Sequence, residues 1–428
     1  MDTLKTRTAR PALDRAELRD AYLQNRARSA QVFGLVDPRV YYARPIPLRH
    51  PFAFYEGHLP AFSFLTLNER ALAEKPIDAR LEKLFERGID PSDAAAAAKA
   101  ARVDWPTAEQ VAAFSNACDA RVLDAIAHAT LDDPSNARLE RAQSAHTIIE
   151  HEQMHHETLL YIINQLEYAD KGRIAQSHHD APRVRNPALA IPAGVATLGV
   201  DPDRIVFGWD NEFDESSVDV PAFSIDTFPV TNGDYLDFVA AGADAPPFWI
   251  RRDDQWYLRG IFEELPLPKS WPVYAGHDQA QAYANWKDAR LPTEAQYQRA
   301  AYGSPTGEER KFPWGEQPPG AVHGNFDFHR FDPEPVDAHP AGASAWGVYD
   351  LIGNGWEWTS TPFGPLPGFE PMASYPQYSA DFFDGKHYVM KGASPVTNRQ
   401  MIRRSFRNWF YADYLYMYAK FRCVYENP

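Results

Sequence analysis

Cysteine is almost absent: Cys118 and Cys423 are the only two in 428 residues. Such a pair builds neither a disulfide framework nor a cysteine-liganded zinc site. Also missing is any run of about 18 apolar residues that could span a bilayer. The N-terminal stretch MDTLKTRTARPALDRAELRD has no apolar core of the signal-peptide kind. The expectation is a cytoplasmic protein. Lysine and arginine form no cluster, and 43 of them against 58 acidic residues leave a formal charge of −15. Nucleic acid and anionic membrane are poor partners for such a chain. No internal repeat is visible. Aromatic residues, by contrast, are plentiful, with 11 Trp, 21 Tyr and 25 Phe. That suits pockets and a loop-rich domain.

The length exceeds what one compact core fills, so two domains are expected. The first 170 residues have helical spacing. DRAELRDAYLQNRARSAQVFGLV carries Asp14 as a cap, and PTAEQVAAFSNACDARVLDAIAHATL opens on Pro106 and Thr107 before an acidic first turn. The longest periodic segment is SNARLERAQSAHTIIEHEQMHHETLLYIINQLEYA. Four such helices make a bundle, whose core is a common place for metal sites. From about 172 to 190 the chain is polar and punctuated by proline, as in a linker. Beyond it, short β-like runs (GVATLGV, FSIDTFPVT, YVMKGAS, FRCVY) alternate with Pro/Gly-rich loops and two helical patches, NGDYLDFVAA and AQAYANWKDA. The fold class is α+β in two domains: a bundle over 1–175, a linker over 176–190 and a second domain over 191–428.

Within IIEHEQMHHETLLYIINQL, residues Ile148, His151, His155, Leu159, Ile162 and Leu166 step by three or four and share one helix face. A lone histidine on such a stripe is ordinarily core. Two at i and i+4 can converge on one cation, with Glu152 and Glu157 alongside. His146 and His156 fall off this line, toward solvent or an outer shell. HEQMH also matches H-E-x-x-H of zinc proteases, whose glutamate is the general base. The metzincin extension is absent, since HETLLY follows; Glu167 is the alternative downstream ligand, and nothing else in the chain supports proteolysis. A third ligand must come from LRHPFAFYEGHLPAFSFLTL. His58 has helical neighbours Phe54, Tyr55, Phe62 and Leu65, whereas His50 precedes Pro51 and is biased away from helix. His58 is the choice.

YEGHLPAF followed about 90 residues later by HEQMHHETLLYI resembles the metal half of the ergothioneine-type sulfoxide synthases. FSIDTFPVTNGDYLDF, ARLPTEAQYQRAA, FPWGE, GVYDLIGNGWEWTSTPF, YSADFF and SFRNWF match the second half in order. The resemblance implies a DinB-like four-helix bundle joined to a formylglycine-generating-enzyme, C-type-lectin-like domain. It implies non-haem Fe(II) on His58, His151 and His155, with O2 as co-substrate. The implied reaction attaches sulfur or selenium to the imidazole of hercynine. Spacing alone does not choose iron, because imidazole serves several metals. Formylglycine generation needs a reactive cysteine pair in the second domain, and Cys423 stands alone there. The third class, a non-catalytic binding module, is opposed by the intact histidine set.

The resemblance further implies a catalytic tyrosine from the second domain. MASYPQYSADFF offers Tyr375, which aligns best, and Tyr378, in a pattern with a packing role. Tyr411, Tyr414, Tyr416 and Tyr418 are also available. Asn408 and Trp409 of SFRNWF line the betaine pocket in relatives, where an aromatic face and an amide oxygen suit a quaternary ammonium. Relatives place glutamine beside the second metal histidine; here Met154 stands there, with Gln153 one residue earlier. NGWEWT is expected to hold the fold. Ergothioneine-forming relatives carry an arginine clamp for a donor carboxylate after the FRNW motif. Here Phe410, Tyr411 and Tyr414 lie in an aromatic run without one, which suits a neutral sugar. The expected donor is therefore a selenosugar, 1-selenoglucose, as in the selenoneine synthase branch. Cysteine or γ-glutamylcysteine is the alternative, with Arg80, Arg87 or Arg404 as a clamp from another loop.

Overall fold

The computed structural model describes residues 13–86 and 103–426. By contacts the chain divides into two units. Among the described residues, the first holds those up to Arg173 with two returning segments, Asp203–Phe207 and Met372–Pro376; the second holds the remainder. No helix among the described residues is long and apolar enough to cross a membrane.

The first unit is helical: α1 (Arg15–Phe33), α2 (Phe52–Ser63), the short α3 (Ala79–Phe85), α4 (Ala108–His128) and α5 (Gln143–Asn164). Local chemistry fixes the starts. Asp14 accepts from the N–H groups of Ala16 and Glu17, and Thr107 with Gln110 forms a reciprocal capping box. Pro106 thus sits just outside α4. Past Ser63 the helical path of α2 continues as a π-helical stretch, Phe64–Ala71. α1 packs on α5 and α2 on α4. The core between them contains Tyr22, Leu59, Leu67, Val111, Phe114, Ile148, Leu159 and Ile162. Each of the Leu, Ile, Val and Phe side chains among them contributes about 1.5–3 kcal/mol on burial. α5 is shorter than its periodicity predicts. Arg141 and Ala142 are left-handed (φ 60° and 54°), so 134–139 forms turns, Glu140–Ala142 a single 3-10 turn, and the helix begins at Gln143.

The second unit is α+β. A central sheet has the order β10 (Asn408–Tyr411), β9 (His387–Ala393), β8 (Gly355–Pro362), β11 (Ala419–Lys420). A second sheet joins β1 (Ala188–Ile191), β4 (Phe223–Asp226) and β12 (Val424–Glu426), all antiparallel; β2 (Gly194–Leu198) pairs with β3 (Ser216–Val220), and β5 (Trp249–Arg252), β6 (Gln255–Arg259) and β7 (Glu264–Pro266) form a small antiparallel sheet. The helices are α6 (Asn232–Ala240), α7 (His277–Trp286) and α8 (Glu294–Tyr302). Residues 174–187 form no helix or strand, yet they are bound along the second unit. Gln176 donates to Asp332, Asp180 accepts from Ser270, and Arg183 pairs with Asp234. NGWEWT is structural. Asn354 bonds Asn325 and Glu334, and Trp358 Nε1 donates to the Ala275 carbonyl. At Gly353 (φ 97°) a Cβ would lie 2.6 Å from the Asn325 carbonyl oxygen, so only glycine makes this turn.

Candidate metal centre

His151 and His155 stand one turn apart on α5, and His58 faces them from α2. One ligand nitrogen from each lies within 4.8 Å of the others. His58 Nδ1 is 2.7 Å from the Phe85 carbonyl oxygen. A carbonyl only accepts, so Nδ1 carries the proton and Nε2 keeps its lone pair. Burial holds all three rings neutral: His58 is pushed down to about 4, and His151 and His155 well below the usual histidine range. Neighbouring imidazoles add to the effect. Nδ1 of His151 and of His155 is buried without a hydrogen-bond partner. Three neutral, convergent imidazoles with orphaned nitrogens fit a metal ion. His155 is the partly exposed member of the set, so the site is open on that side.

Phe62, one turn after His58, stacks on His151 with centroids 3.5 Å apart and planes at 10°. Tyr55 packs against His155. Tyr375, on the returning segment Met372–Pro376, sets its ring 5.1 Å from Phe62 and 6.2 Å from His151. His50 lies two rings away from the trio, stacked on Phe54, which stacks on His58.

Several expected residues lie elsewhere. Gln153 is on the opposite face of α5, donating to Asn25 on α1 at 3.3 Å, which turns its amide away from the imidazoles. Met154, beside His155, is partly exposed. His156 is not toward solvent. It is fully buried against Ser29 and pushed down to about 3. Glu152 is fully buried too, bonded to Arg26 (2.8 Å) and Ser29 (2.6 Å), so it is not placed as the general base of a protease. Tyr378 belongs to the second unit and stacks on Trp209 at 3.8 Å.

The expected aromatic pocket divides across β10, because neighbouring strand residues point to opposite faces. Trp409 stacks on Phe363 (4.2 Å) and meets Tyr378 edge-on, while Tyr411 packs on His387. Phe410 contacts Tyr414, which contacts Tyr416. Tyr418 is core, stacked on Tyr274. The side chain of Asn408 accepts from the N–H of Trp409. Beneath this strand Arg407 is tied to Glu294, Arg403 to Glu212 and Arg404 to Glu309. Arg87 lies outside the described residues. Sequence reasoning named Phe62 only as a helical neighbour of His58, not as the ring stacked on His151, and it missed the Phe85 carbonyl. Phe62 had a signal, its i+4 spacing from His58; a backbone carbonyl from another helix has none.

Residues 175–427 match the sulfatase-modifying factor enzyme 1-like domain, and residues 21–159 match the DinB superfamily. The chain is 34% identical over 396 residues to hercynine oxygenase of Mycolicibacterium smegmatis, covering 85% of this chain and 88% of that one. The chain belongs to the ergothioneine sulfoxide synthase family. Hercynine oxygenase of Mycolicibacterium thermoresistibile is 31% identical, covering 92% of this chain and 91% of that protein. Ergothioneine biosynthesis protein 1 of Schizosaccharomyces pombe is 30% identical, covering 90% of this chain and 52% of that longer protein. Membership in the synthase family accounts for the pairing of a helical unit with an α+β unit.

Proposed function

We propose that the chain is a non-haem iron oxidoreductase that uses O2 to join the imidazole of hercynine to a chalcogen donor. The observation that carries this reading is the neutral, open three-imidazole set in a chain whose relatives are named hercynine oxygenase. His58, His151 and His155 would hold Fe(II), with His58 oriented by the Phe85 carbonyl. Ferrous iron there would supply O2 binding and activation in the coordination positions that three protein ligands leave free. Tyr375 is assigned as proton or hydrogen-atom donor, its ring lying on the Phe62 and His151 side. Asn408 and Trp409 are assigned to the trimethylammonium, which an aromatic face accommodates without a full counter-charge.

For the donor we favour a selenosugar, 1-selenoglucose, giving a selenoxide on the way to selenoneine. What supports this is the chemistry around β10. Arg403, Arg404 and Arg407 are engaged by glutamates, Lys420 by Asp350 and Arg422 by Glu357, while Phe410 and Tyr414, in contact on one side of the strand, offer aromatic faces and a hydroxyl, Tyr411 lying on the other side against His387. Such a lining suits a neutral sugar better than a carboxylate, which calls for a bidentate cation. A second reading, hercynine joined to cysteine or γ-glutamylcysteine, is favoured by the relatives named ergothioneine biosynthesis protein 1. Purified iron enzyme given hercynine, O2 and equal selenoglucose, cysteine and γ-glutamylcysteine separates the two. Preferential selenoglucose turnover is expected; turnover with a thiol alone would establish the second reading.

A further inference from the structure

We infer that Thr147, acting through Ser374, is a positioning residue that seats Tyr375 over the three-imidazole site. Gln143, Thr147, His151 and His155 recur every four residues along α5 and so form one ladder on one face. Its lower half holds the segment Met372–Pro376. Thr147 Oγ1 and Ser374 Oγ are 2.8 Å apart, both buried, and the Ser374 N–H donates to Gln143 Oε1 at 2.9 Å. The next residue is Tyr375, whose N–H closes a turn onto the carbonyl of the buried Met372 at 3.3 Å. Its ring then rests against Phe62, which itself stacks on His151. The helix that presents two of the imidazoles thus also fixes the tyrosine, so their spacing does not depend on a free loop. Buried hydroxyls need a partner. An isosteric valine at 147 removes the one that Ser374 uses there and frees the segment to shift.

The functional part of the inference rests on the role assigned to Tyr375 above, so the test reads position and turnover separately. 3-Fluorotyrosine is placed at position 375 of the full-length protein and its 19F resonance recorded. Thr147→Val and, independently, Ser374→Ala should shift and broaden that resonance, and Thr147→Ser should restore it. A resonance unchanged from the parent in Thr147→Val or in Ser374→Ala overturns the inference; Ser374→Ala lies in the segment itself and serves should Thr147→Val fail to fold. In iron-loaded enzyme, Thr147→Val should lower kcat about 3- to 10-fold, the effect of one buried neutral hydrogen bond, with KM for hercynine nearly unchanged. Tyr375→Phe calibrates this arm. If it leaves turnover unchanged, the role of Tyr375 falls, while the fluorine signal still decides whether Thr147 holds it.

Discussion

Glu152 separates a structural account of HEQMH from a protease account. Its carboxylate is fully buried and bonded to Arg26 and Ser29, with Ser29 in turn on His156. Burial raises its pKa above the ordinary carboxylate range, against the pull of Arg26. Removing one partner of a buried pair costs about 3–5 kcal/mol. Arg26 retains Asp119 at 3.1 Å, so the low end, about 3 kcal/mol, is expected for Glu152→Ala. Glu152→Gln keeps the shape and part of the bonding and should cost about 1–2 kcal/mol. Both are large fractions of the roughly 5–15 kcal/mol that stabilises a domain. Urea unfolding followed by helical circular dichroism reports chiefly the first unit, which holds most of the helix. The Ala midpoint should fall sharply, the Gln midpoint less, and Arg26→Met with Glu152→Leu should recover much of the loss. Variants that still fold should retain iron, because the carboxylate points away from the imidazoles. A Glu152→Gln enzyme as stable as the parent but inactive would refute the reasoning, since that is how a general base behaves.

Three further outcomes follow from particular contacts. A Cβ on Gly57 would lie 2.5 Å from the ring of Phe85, so Gly57→Ala should cost about 1–3 kcal/mol; by disturbing the carbonyl that orients His58 it should also weaken iron binding about 10- to 100-fold, measured by chelator competition. His58→Ala should abolish iron retention whereas His50→Ala should keep it, and metal analysis showing the reverse would reassign the third ligand. Asp226 is buried and raised to about 6 from 3.8, chiefly by desolvation, so the fold favours its protonated form. That stability is fully present below pH 3.8 and lost as pH rises through about 6, on the order of 3 kcal/mol in all. Asp226→Asn should flatten the urea midpoint between those pH values, and an unchanged slope would count against it.

How much was legible depended on the range of the interaction. His151 and His155 share a helix face by spacing alone, and Asp14 and Thr107 cap helices with atoms two or three residues away, so sequence sufficed. His58 could be picked because its helical neighbours recur at i±3 and i±4. The break at Arg141 and Ala142 could not, since neither residue is a turn former and the left-handed pair is imposed by surrounding structure. Tyr375 and Tyr378 are three residues apart in sequence yet fall in different units, because Ser374 bonds a helix more than 200 residues earlier. The run from Phe410 to Tyr418 read as one pocket because spacing hides which side of β10 each ring takes. Gln153 was named for its nearness in sequence to a ligand, where the helix places it on the far side.

The most direct test of the central claim is product analysis by mass spectrometry on the iron-reconstituted enzyme, with hercynine and a chalcogen donor, with and without O2. The account predicts a hercynine–chalcogen adduct formed only with both iron and O2, and lost in His58→Ala, His151→Ala and His155→Ala alike. Adduct formation undiminished in metal-free enzyme, or in any of those three variants, would contradict it.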